Sequence, residues 1–591
     1  MKNVAPHTYQ AAEHTNGYEF SQGGGYTLPE YEAVIPPAVR SGKVEHHRIL
    51  IVGGGLAGLT LVCSLAQLGV DCVLLDEDNT VGVKGASSRG ICYTQKSLEI
   101  FDKLGIYERI KAKGIQWSVG RTFAGEDEVY SFDLKAQGNF SLSEQPAFIN
   151  IQQFYNEGYL VERVQELGHA EIRWNNRVTA FEVNNNLATF SIATPAGNYT
   201  ATADFVMDCT GSRSPFHGWL RIQKTSNKSD DRWCIADVRF NTHPPKERHT
   251  WIEAPFNDNR AVWQHLMADD VWRIDYQMAP DADPAYVSRE DVVKERLAKQ
   301  FGKDVQVEIV WVGPYAYRSE CVDRMIAPAG KSRVFFMGDS AKVVSPFGAR
   351  GGNTGIADAD NLAWKLAAVV QGRAAPALLQ SYQAERHEAA KTNVQVTNRT
   401  ARFLRPQDGI ERILRNATIA LAKKHAFARS LVNTGRMAVA NPYSQSPLTA
   451  PELLQSHSVQ NVGFDWPSGS AGRLNQLLQW AQGLPLLLIW AHGNSALPQR
   501  LVRSLQAMAR ADQLRSVCVQ AQGDAAWALE SLHDERQRLW QACGFEPPTR
   551  AAQPAWALIR SDSYLAARGL HLTPHALAAA VARLHGAGLR T

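Results

Sequence analysis

The sequence predicts a multidomain α/β protein with a Rossmann-like domain and a mostly antiparallel second lobe. A strand, a glycine-rich turn, a helix and another strand follow one another over residues 46–81. Residues 233–312 contain successive runs rich in aromatic and β-branched side chains, which is typical of antiparallel strands. After about residue 451, strand-like runs again alternate with helical patterns, so we expect a separate small α/β domain there.

The composition narrows the classes of function. The 591 residues suffice for several domains, and 62 basic against 58 acidic residues give a formal net charge of +4 without long charged runs. We therefore expect neither a nucleic-acid nor an anionic-membrane partner. The eight cysteines stand apart without a C-x-x-C pair. This spacing argues against a disulfide framework, a thiol redox pair or a zinc ribbon, so no metal site is expected and a reducing cytoplasm fits best.

Two segments near the N-terminus bear on location. Residues 1–45 are polar and punctuated by prolines, so we expect an extended arm without a secretory signal. Residues 49–70 carry no charge and are long enough to span a bilayer. Three consecutive glycines divide this segment into a short strand and a helix, so we expect a cytoplasmic protein without stable membrane insertion.

The first glycine-rich motif lies in ILIVGGGLAGLTLVCSLAQLGVDCVLLDED, residues 49–78. Its glycines have the spacing G-x-G-x-x-G between a strand and a helix, and the next strand ends in an aspartate. The first glycine permits a tight turn, the second admits a pyrophosphate, the third lets helix and strand pack, and the aspartate can accept hydrogen bonds from a ribose. The residues expected to contact the dinucleotide are Gly53, Gly55, Leu56, Ala57, Gly58 and Asp76. At this point NAD and FAD remain indistinguishable.

A second glycine-rich stretch, residues 338–366, reads GDSAKVVSPFGARGGNTGIADADNLAWKL. Four of its glycines fall within eight residues, which costs backbone entropy unless the chain needs positive φ or a ligand approaches closely. The run that follows predicts a helix over 356–371, whose free N–H groups would suit an anion. From these residues alone, a turn that merely caps the helix is an equal alternative.

With the preceding strand, this stretch resembles the second flavin fingerprint of the aromatic-hydroxylase family of FAD monooxygenases, near its hydroxyphenylpropionate and phenol hydroxylases. The resemblance implies FAD as cofactor and NAD(P)H as co-substrate. It implies that Asp339 holds the ribityl chain and that the loop from Pro346 to Asn353 lies beside the isoalloxazine. The loop residues it assigns are Pro346, as a catalytic position, and Gly348, Gly351, Gly352 and Asn353, as cofactor contacts.

Two other stretches resemble cofactor-binding segments of the same family. SSRGICYTQKSLEIFDKLG places Arg89 near the cofactor, with an arginine bridging surface carboxylates as the alternative. FINIQQFYNEGYLVERV places Gln153 near the pyrophosphate, with simple solvent exposure as an equal alternative.

Three positions depart from the family pattern. The middle motif reads CTGSRSPFH, which keeps Arg213 but has Thr210 and His217 where the family has aspartate and arginine. Lys342 stands where the family commonly has histidine. A lysine there could lie near a pyrophosphate or simply be solvated at the start of a helix. These departures leave the contacts to nicotinamide open.

The resemblance also implies a division of the chain. It implies an FAD-binding domain interleaved with a substrate domain, followed by a thioredoxin-like domain without redox cysteines. Because Cys518 and Cys543 stand far apart in the sequence, we expect that last domain to serve packing or dimerisation. The expected boundaries are 46–120, 150–220 and 320–450 for the first domain, 121–149 and 221–319 for the second, and 451–591 for the third.

The resemblance implies an FAD-dependent monooxygenase that uses NAD(P)H and O2 to hydroxylate a phenolic or related aromatic substrate. We expect the cleft between the glycine loop and the strands around Trp251, His265, Trp272 and Arg273, with core packing as the default for both tryptophans. His265 could orient or deprotonate a phenol, and Arg273 could meet a carboxylate. Two alternatives stay open: a non-oxygenase FAD oxidoreductase, and a non-catalytic FAD-binding sensor. The absence of W-x-W-x-I-P and of C-x-x-x-x-C after the first motif disfavours tryptophan-type halogenases and disulfide reductases.

Overall fold

The computed structural model describes most of the chain. The described residues are 26–82, 90–136, 142–184, 187–241, 244–328, 333–406, 409–433, 437–490, 497–520, 530–546 and 554–589. The helices are α1 Ala38–Ser41, α2 Leu56–Gln67, α3 Gln95–Leu104, α4 Tyr107–Lys113, α5 Gln153–Leu167, α6 Phe216–Trp219, α7 Pro284–Val287, α8 Glu290–Phe301, α9 Gly351–Val370, α10 Gln380–Leu404, α11 Ile410–Lys424, α12 Ala426–Arg429, α13 Leu474–Trp480, α14 Gln499–Arg510, α15 Arg538–Ala542 and α16 Pro574–Leu584. None of these described helices combines the length and the hydropathy that a bilayer crossing requires.

The strands form three large sheets and one small one. In chain order they are β1 Glu45–Val52, β2 Cys72–Leu75, β3 Cys92–Thr94, β4 Ile115–Gln116, β5 Val119–Ala124, β6 Asp127–Asp133, β7 Phe148–Asn150, β8 Ala170–Arg173, β9 Arg177–Asn184, β10 Leu187–Thr194, β11 Gly197–Asp208, β12 Lys224–Phe240, β13 Arg248–Ala254, β14 Arg260–Leu266, β15 Trp272–Gln277, β16 Val307–Val322, β17 Ile326–Ala327, β18 Val334–Phe336, β19 Lys342–Val343, β20 Gly463–Asp465, β21 Ala471–Arg473, β22 Leu486–Trp490, β23 Arg515–Gln520, β24 Ser531–His533, β25 Ala555–Ile559 and β26 Leu565–Gly569.

The first sheet has the strand order β17-β18-β11-β1-β2-β8, in which β18 to β8 pair parallel and β17 pairs antiparallel with β18. Strands β9 and β10 extend the sheet from β11. Helix α2 connects β1 to the parallel strand β2, which is the predicted strand, turn, helix and strand. The continuous apolar run from Ile49 to Ile51 is fully buried, as expected for a strand covered on both faces. The mixed α/β architecture predicted from the sequence is therefore confirmed.

The second sheet has eight strands in the order β19-β16-β12-β15-β14-β13-β5-β6, paired antiparallel except for β13 with β5. Helix α8 covers one of its faces, where Cys234, Ile274 and Leu297 belong to one buried cluster. The opposite face meets the second glycine-rich loop, because Phe347 clusters there with Trp233 and Trp263. The alternation of side chains along each strand thus decides which residues face the loop.

The third sheet, β21-β20-β24-β23-β22-β25-β26, carries α13 to α16. Buried ion pairs connect the turn between β25 and β26 to the long helices α9 and α10. Arg560 donates to Glu385 on α10 (Nη2 to Oε2, 2.9 Å), and Lys365 on α9 donates to the same oxygen at 2.7 Å. All three side chains are completely buried. The C-terminal sheet is therefore fixed to the two long helices that follow the glycine loop.

The start of α9 and the N-terminal arm can both be compared with what the sequence predicts. Helix α9 begins at Gly351, earlier than the predicted start at residue 356, because Asn353 Nδ2 donates to Ala349 O at 2.7 Å and Thr354 N donates to Arg350 O at 3.0 Å. Of the expected N-terminal arm, residues 1–25 lie outside the described part. Tyr31, in the described remainder, stacks on Trp174 with ring centroids 4.5 Å apart.

Candidate active site

The N-terminal ends of α2 and α9 lie against each other. A Cβ on Gly352 would come within 3.1 Å of Leu56 Cδ1, and one on Gly355 within 3.3 Å of Ala57 Cβ. A Cβ on Gly338, in the turn before the second loop, would lie 3.0 Å from the same Ala57 Cβ. Neither helix has a side-chain N-cap, so the N–H groups of both first turns are left for other acceptors. Two partial positive charges therefore meet at one place.

The first glycine turn is packed tightly on its protein side and open at its centre. Gly53 has φ +106°, and a Cβ there would lie 2.4 Å from Cys209 O. A Cβ on Gly58 would lie 2.0 Å from Gly53 O. By contrast, a Cβ on Gly55 would meet nothing closer than Glu157 Oε1 at 3.9 Å. The turn therefore keeps a free backbone surface at Gly55, where the sequence predicts the pyrophosphate.

Asp76 lies at the end of β2, beside this turn. Its Oδ2 accepts a hydrogen bond from Gly54 N at 2.5 Å, and its Oδ1 accepts one from Asp78 N at 2.8 Å. Burial, and then the charge of Asp78, raise the pKa of Asp76 to about 7. The carboxyl is therefore placed against the turn, as the dinucleotide prediction requires.

Gln153 and Glu157 face the same turn from α5. Gln153 Nε2 donates to Glu157 Oε1 at 2.8 Å, and Gly82 N donates to Glu157 Oε2 at 2.7 Å. Gln153 is half-buried, and its amide is bound to Glu157. Arg89 lies outside the described residues.

Asp358 on α9 holds the turn that carries Asp339. Its Oδ2 accepts from Gly338 N at 3.1 Å and from Lys342 Nζ at 2.9 Å, and its Oδ1 accepts from Arg386 Nε at 2.7 Å. Lys342 is 1% exposed. Both expectations for this lysine, a pyrophosphate contact and a solvated helix start, are therefore wrong, because its charge is paired inside the protein. Asp339 itself is exposed.

Thr210 and His217, the two residues of the middle motif that depart from the family pattern, also have partners within the protein. Thr210 Oγ1 donates to Asp208 Oδ1 at 2.6 Å at the end of β11. His217 Nε2 lies 2.7 Å from Ser340 O, in the turn next to Asp339. Arg213 is exposed. Thr210 and His217 therefore support the end of the parallel sheet, and Arg213 is the one of the three that remains at the surface.

The second glycine-rich loop is anchored at both ends. Gly348 has φ +78°, and its carbonyl accepts from Ala438 N at 2.8 Å. Asn353 Oδ1 accepts from Thr94 N at 3.0 Å, and Asn353 Nδ2 donates to Cys92 O at 2.8 Å. The amide of Asn353 is thus used to hold the loop, which leaves its backbone as the part available to a cofactor. Pro346 is half-buried at the start of the loop.

Arg248, His265 and Arg273 form a cross-strand row on the face that meets this loop. His265 on β14 pairs directly with Arg273 on β15. Arg248 stands next to His265, because β13 and β14 pair His249 with Gln264. The next member of the row is Asp237, which pairs with Arg273 across β12 and β15. We name Arg248, His265 and Arg273 the basic row.

The members of the basic row differ in their partners. Arg273 forms an ion pair with Asp275 at 2.9 Å. Burial, followed by the charges of the two arginines, holds the pKa of His265 well below its ordinary value, so the imidazole is neutral at pH 7. Its Nδ1 has no hydrogen-bond partner among the described residues. Arg248 donates to Met437 Sδ at 3.3 Å and lies over the Trp263 ring at 5.5 Å.

Trp251 and Trp272, on the strands beside the expected cleft, pack against other aromatic side chains. Trp272 belongs to the cluster under α8 and contacts Phe240, with centroids 6.3 Å apart. Trp251 stacks on Phe123 at 5.3 Å. Successive side chains of a strand point to opposite faces of the sheet. Trp272, which precedes Arg273, therefore lies on the face opposite to the basic row. Both tryptophans therefore pack against other apolar side chains, in agreement with core packing as their default expectation.

Sequence reasoning missed three polar residues near the site: Arg248, Asp358 and Tyr26. Tyr26 OH donates to Asp237 Oδ2 at 3.0 Å, which brings the described end of the N-terminal arm to the sheet face. A signal existed for Asp358, since an aspartate inside an apolar helical pattern needs a buried partner. No comparable signal marked Tyr26, because its position depends on long-range packing.

Comparison with known proteins matches residues 46–397 to the family described as the FAD binding domain. A 3-(3-hydroxy-phenyl)propionate/3-hydroxycinnamic acid hydroxylase of Mycolicibacterium smegmatis is 24% identical over 373 residues, 63% of this chain and 64% of the relative. A flavin-dependent monooxygenase of Mycobacteroides abscessus is 27% identical over 351 residues, 58% of this chain and 71% of the relative. The chain thus aligns with slightly less than two thirds of the first relative.

Two solved structures share the fold. The flavin-dependent monooxygenase PieE, determined with FAD and substrate, superposes with a TM-score of 0.73 at 20% identity and covers 91% of this chain and 99% of its own. Aklavinone-11 hydroxylase, determined with FAD and aklavinone, gives a TM-score of 0.70 at 18% identity and covers 92% and 99%. The likeness extends through the C-terminal sheet, because both alignments cover more than nine tenths of this chain.

Proposed function

The chain belongs to the FAD-binding-domain family of FAD-dependent aromatic hydroxylases, and from this premise we propose that it is itself a monooxygenase. It would use NAD(P)H and O2 to hydroxylate a phenolic or related aromatic ring. The observation that carries the proposal is the position of one loop. The segment from Pro346 to Asn353 leads into the N-terminus of α9, and its Phe347 packs on the sheet face that holds the basic row.

The residues present fit FAD. The free backbone at Gly55 leaves room for a pyrophosphate, and Gly53 and Gly58 keep the turn tight around it. The exposed carboxylate of Asp339 suits the hydroxyl groups of a ribityl chain, and Asp76 suits those of a ribose. The other contacts we propose are Leu56, Ala57, Arg89, Gln153, Arg213, Gly348, Gly351, Gly352 and Asn353. The chemistry that bound FAD supplies is hydride acceptance from NAD(P)H and activation of O2.

The protein's own contribution would be to position charge and to hold a proton. The N–H groups at the start of α9 would stabilise negative charge on the edge of the ring system. His265 is neutral and has a free Nδ1, so it can accept the proton of a phenol hydroxyl. Burial, and then the charges of Arg248 and of Arg273, keep that imidazole neutral before substrate binds. Pro346, at the start of the loop, would exclude water from the ring.

We propose that the C-terminal part is a thioredoxin-like domain without redox function. Both of its cysteines, Cys518 and Cys543, are buried and neither forms a disulfide bond, and burial raises the pKa of the Cys543 thiol. Its buried Arg560 pairs with Glu385 on α10, which also pairs with Lys365 on α9, and this network supports a role in stabilising the helices behind the glycine loop. A dimer through this part is a further proposal, which light scattering of the purified protein would test.

The experiment that tests the proposed function measures flavin content and turnover together. We expect purified protein to release FAD on denaturation and to consume NAD(P)H in step with hydroxylated product when offered a panel of phenols. Asp339→Ala should lose most of the FAD, because the ribityl hydroxyls lose their carboxylate acceptor. Bound FAD with NAD(P)H consumption but no oxygenated product would favour a non-oxygenase oxidoreductase. Bound FAD without any consumption would favour a sensor.

A further inference from the structure

Arg248 is a buried arginine that forms no direct ion pair within the described part of the chain, although the charge of Asp275 acts on it from a distance. Its side chain is 5% exposed, and among the described residues it forms no ion pair with an aspartate or glutamate. Its one hydrogen bond goes to a thioether sulfur, and its Nε has no partner among those residues.

An unpaired buried charge is costly. Moving a guanidinium out of water carries a penalty of several kcal/mol, which is normally offset by a carboxylate and by hydrogen bonds to every donor. Contact with the Trp263 ring offsets only part of this penalty, since a cation over an indole contributes about 2 kcal/mol at most. The fold therefore maintains an unfavourable charge beside His265, on the face that meets the glycine loop. Such a cost is common where a ligand completes the site.

Arg273 is less suited than Arg248 to bind an anionic ligand. It is held by Asp275 and stands opposite Asp237, so two carboxylates already lie around it. An incoming anion at Arg273 would meet those negative charges as well. Arg248 is at the other end of the basic row, with the neutral imidazole of His265 between the two arginines.

We infer that Arg248 binds a carboxylate of the substrate, so that the enzyme selects aromatic acids over neutral phenols. This inference rests on the proposed function and proposes Arg248, in place of Arg273, as the residue that meets the carboxylate. A carboxylate at Arg248 would satisfy the free Nε–H. It would also place the ring of the same molecule beside His265, whose free Nδ1 can meet the phenol hydroxyl. The distance between Arg248 and the hydroxyl contact would then decide which acids fit.

The test compares acids with their amides on the FAD-loaded protein. Hydroxylated benzoate, phenylpropionate and cinnamate, each paired with its primary amide, are titrated against wild type, Arg248→Met and Arg239→Met. Arg239 is a matched control because it lies on the same sheet, near the rim, and is paired with Glu308 at 3.0 Å. Binding is read from tryptophan fluorescence, and hydroxylation is recorded on the same samples.

We expect wild type and Arg239→Met to bind at least one acid about 30-fold more tightly than its amide, the size expected for hydrogen bonds to a charged group. Arg248→Met should abolish that preference and leave the affinity for the amide within about threefold of wild type. The melting temperature of ligand-free Arg248→Met should equal or exceed that of wild type, because the substitution removes an unpaired buried charge. A purely structural arginine would give the opposite shift.

Three results would overturn the inference. One is an acid preference that survives in Arg248→Met. Another is an equal loss of acid and amide binding, which would mean that Arg248 meets the phenol oxygen common to both. The third is wild type that binds no acid better than its amide. If neutral phenols are hydroxylated in that last case, the proposed function stands and only the role of Arg248 fails. Absence of hydroxylation with any compound would instead count against the proposed function.

Discussion

The ammonium of Lys342 lies 2.9 Å from a carboxylate oxygen of Asp358, and neither side chain is exposed by more than 1%. The same oxygen accepts from Gly338 N, immediately before Asp339. Lys342 therefore does not act on a ligand directly. Lys342 holds the carboxylate of Asp358, and Asp358 in turn holds the backbone at Gly338. The lysine therefore has a positioning role.

Asp358→Asn should weaken FAD binding as well as the fold. The substitution keeps the shape but leaves Lys342 and Arg386 without their shared carboxylate. Removing one partner of a buried ion pair lowers the free energy of unfolding by roughly 3–5 kcal/mol. Asp360→Asn is the matched control, because Asp360 lies on the same helix and is paired with Lys103. We expect both variants to melt at lower temperature, but only Asp358→Asn to raise the dissociation constant of FAD. Equal effects of both on FAD affinity would contradict the positioning role.

Gly55 and Gly58 should respond differently to alanine. A Cβ at position 58 would overlap the Gly53 carbonyl oxygen at 2.0 Å, so Gly58→Ala should fail to fold or should melt far below wild type. A Cβ at position 55 meets no protein atom within 3.4 Å, so Gly55→Ala should fold normally. It should nonetheless bind FAD about tenfold more weakly or worse, because the methyl group takes up space needed by the pyrophosphate. Calorimetry of the apo-proteins and FAD titration distinguish the two effects; normal FAD affinity in Gly55→Ala would refute the placement.

The carboxyl of Asp76 should make apo-protein stability depend on pH. Its folded pKa, about 7, is raised above the ordinary value of 3.8. The folded state therefore binds more protons than the unfolded state between about pH 4 and 7, and stability from this group falls as pH rises through that window. Because the side chain is partly exposed, we expect a loss of roughly 2 kcal/mol. Urea unfolding at several pH values should show this slope in wild type and a smaller one in Asp76→Asn. Identical slopes would show that the carboxyl is not perturbed.

The two C-terminal cysteines should be dispensable for turnover. Cys518 and Cys543 lie in the interior, and burial raises the pKa of Cys543, so no thiolate is available for exchange. We expect Cys518→Ala with Cys543→Ala to keep kcat within about twofold while losing some stability from the small cavities. Loss of activity in a protein with an unchanged melting temperature would give the thiols a chemical role.

Local patterns predicted the nucleotide-binding parts of the fold well. The strand, turn and helix around Gly53 to Gly58 need only neighbouring residues to form, so spacing and composition were sufficient. The second loop was identified for the same reason, although α9 begins five residues early. That difference arises because Asn353 and Thr354 hydrogen-bond back to carbonyls of the loop.

Side-chain partners across the sheet could not be predicted in this way. Trp272 and Arg273 are adjacent in sequence, yet only the order of the strands decides which one faces the loop. Arg248 begins a strand that alternates buried and half-buried residues, and the lack of an acidic neighbour becomes evident only when β13, β14 and β15 are placed side by side. Lys342 was misjudged because Asp358, its partner, lies sixteen residues away on the following helix.

Oxygen incorporation tests the central claim most directly. The purified protein, loaded with FAD, is supplied with NAD(P)H, isotopically labelled O2 and a panel of hydroxylated aromatic acids and neutral phenols, and the products are analysed by mass spectrometry. We predict that at least one acid gains a single labelled oxygen atom on its ring, in step with NAD(P)H oxidation. If FAD binds and NAD(P)H is oxidised, but no substrate in the panel of acids and neutral phenols gains labelled oxygen, the proposed monooxygenase function is contradicted.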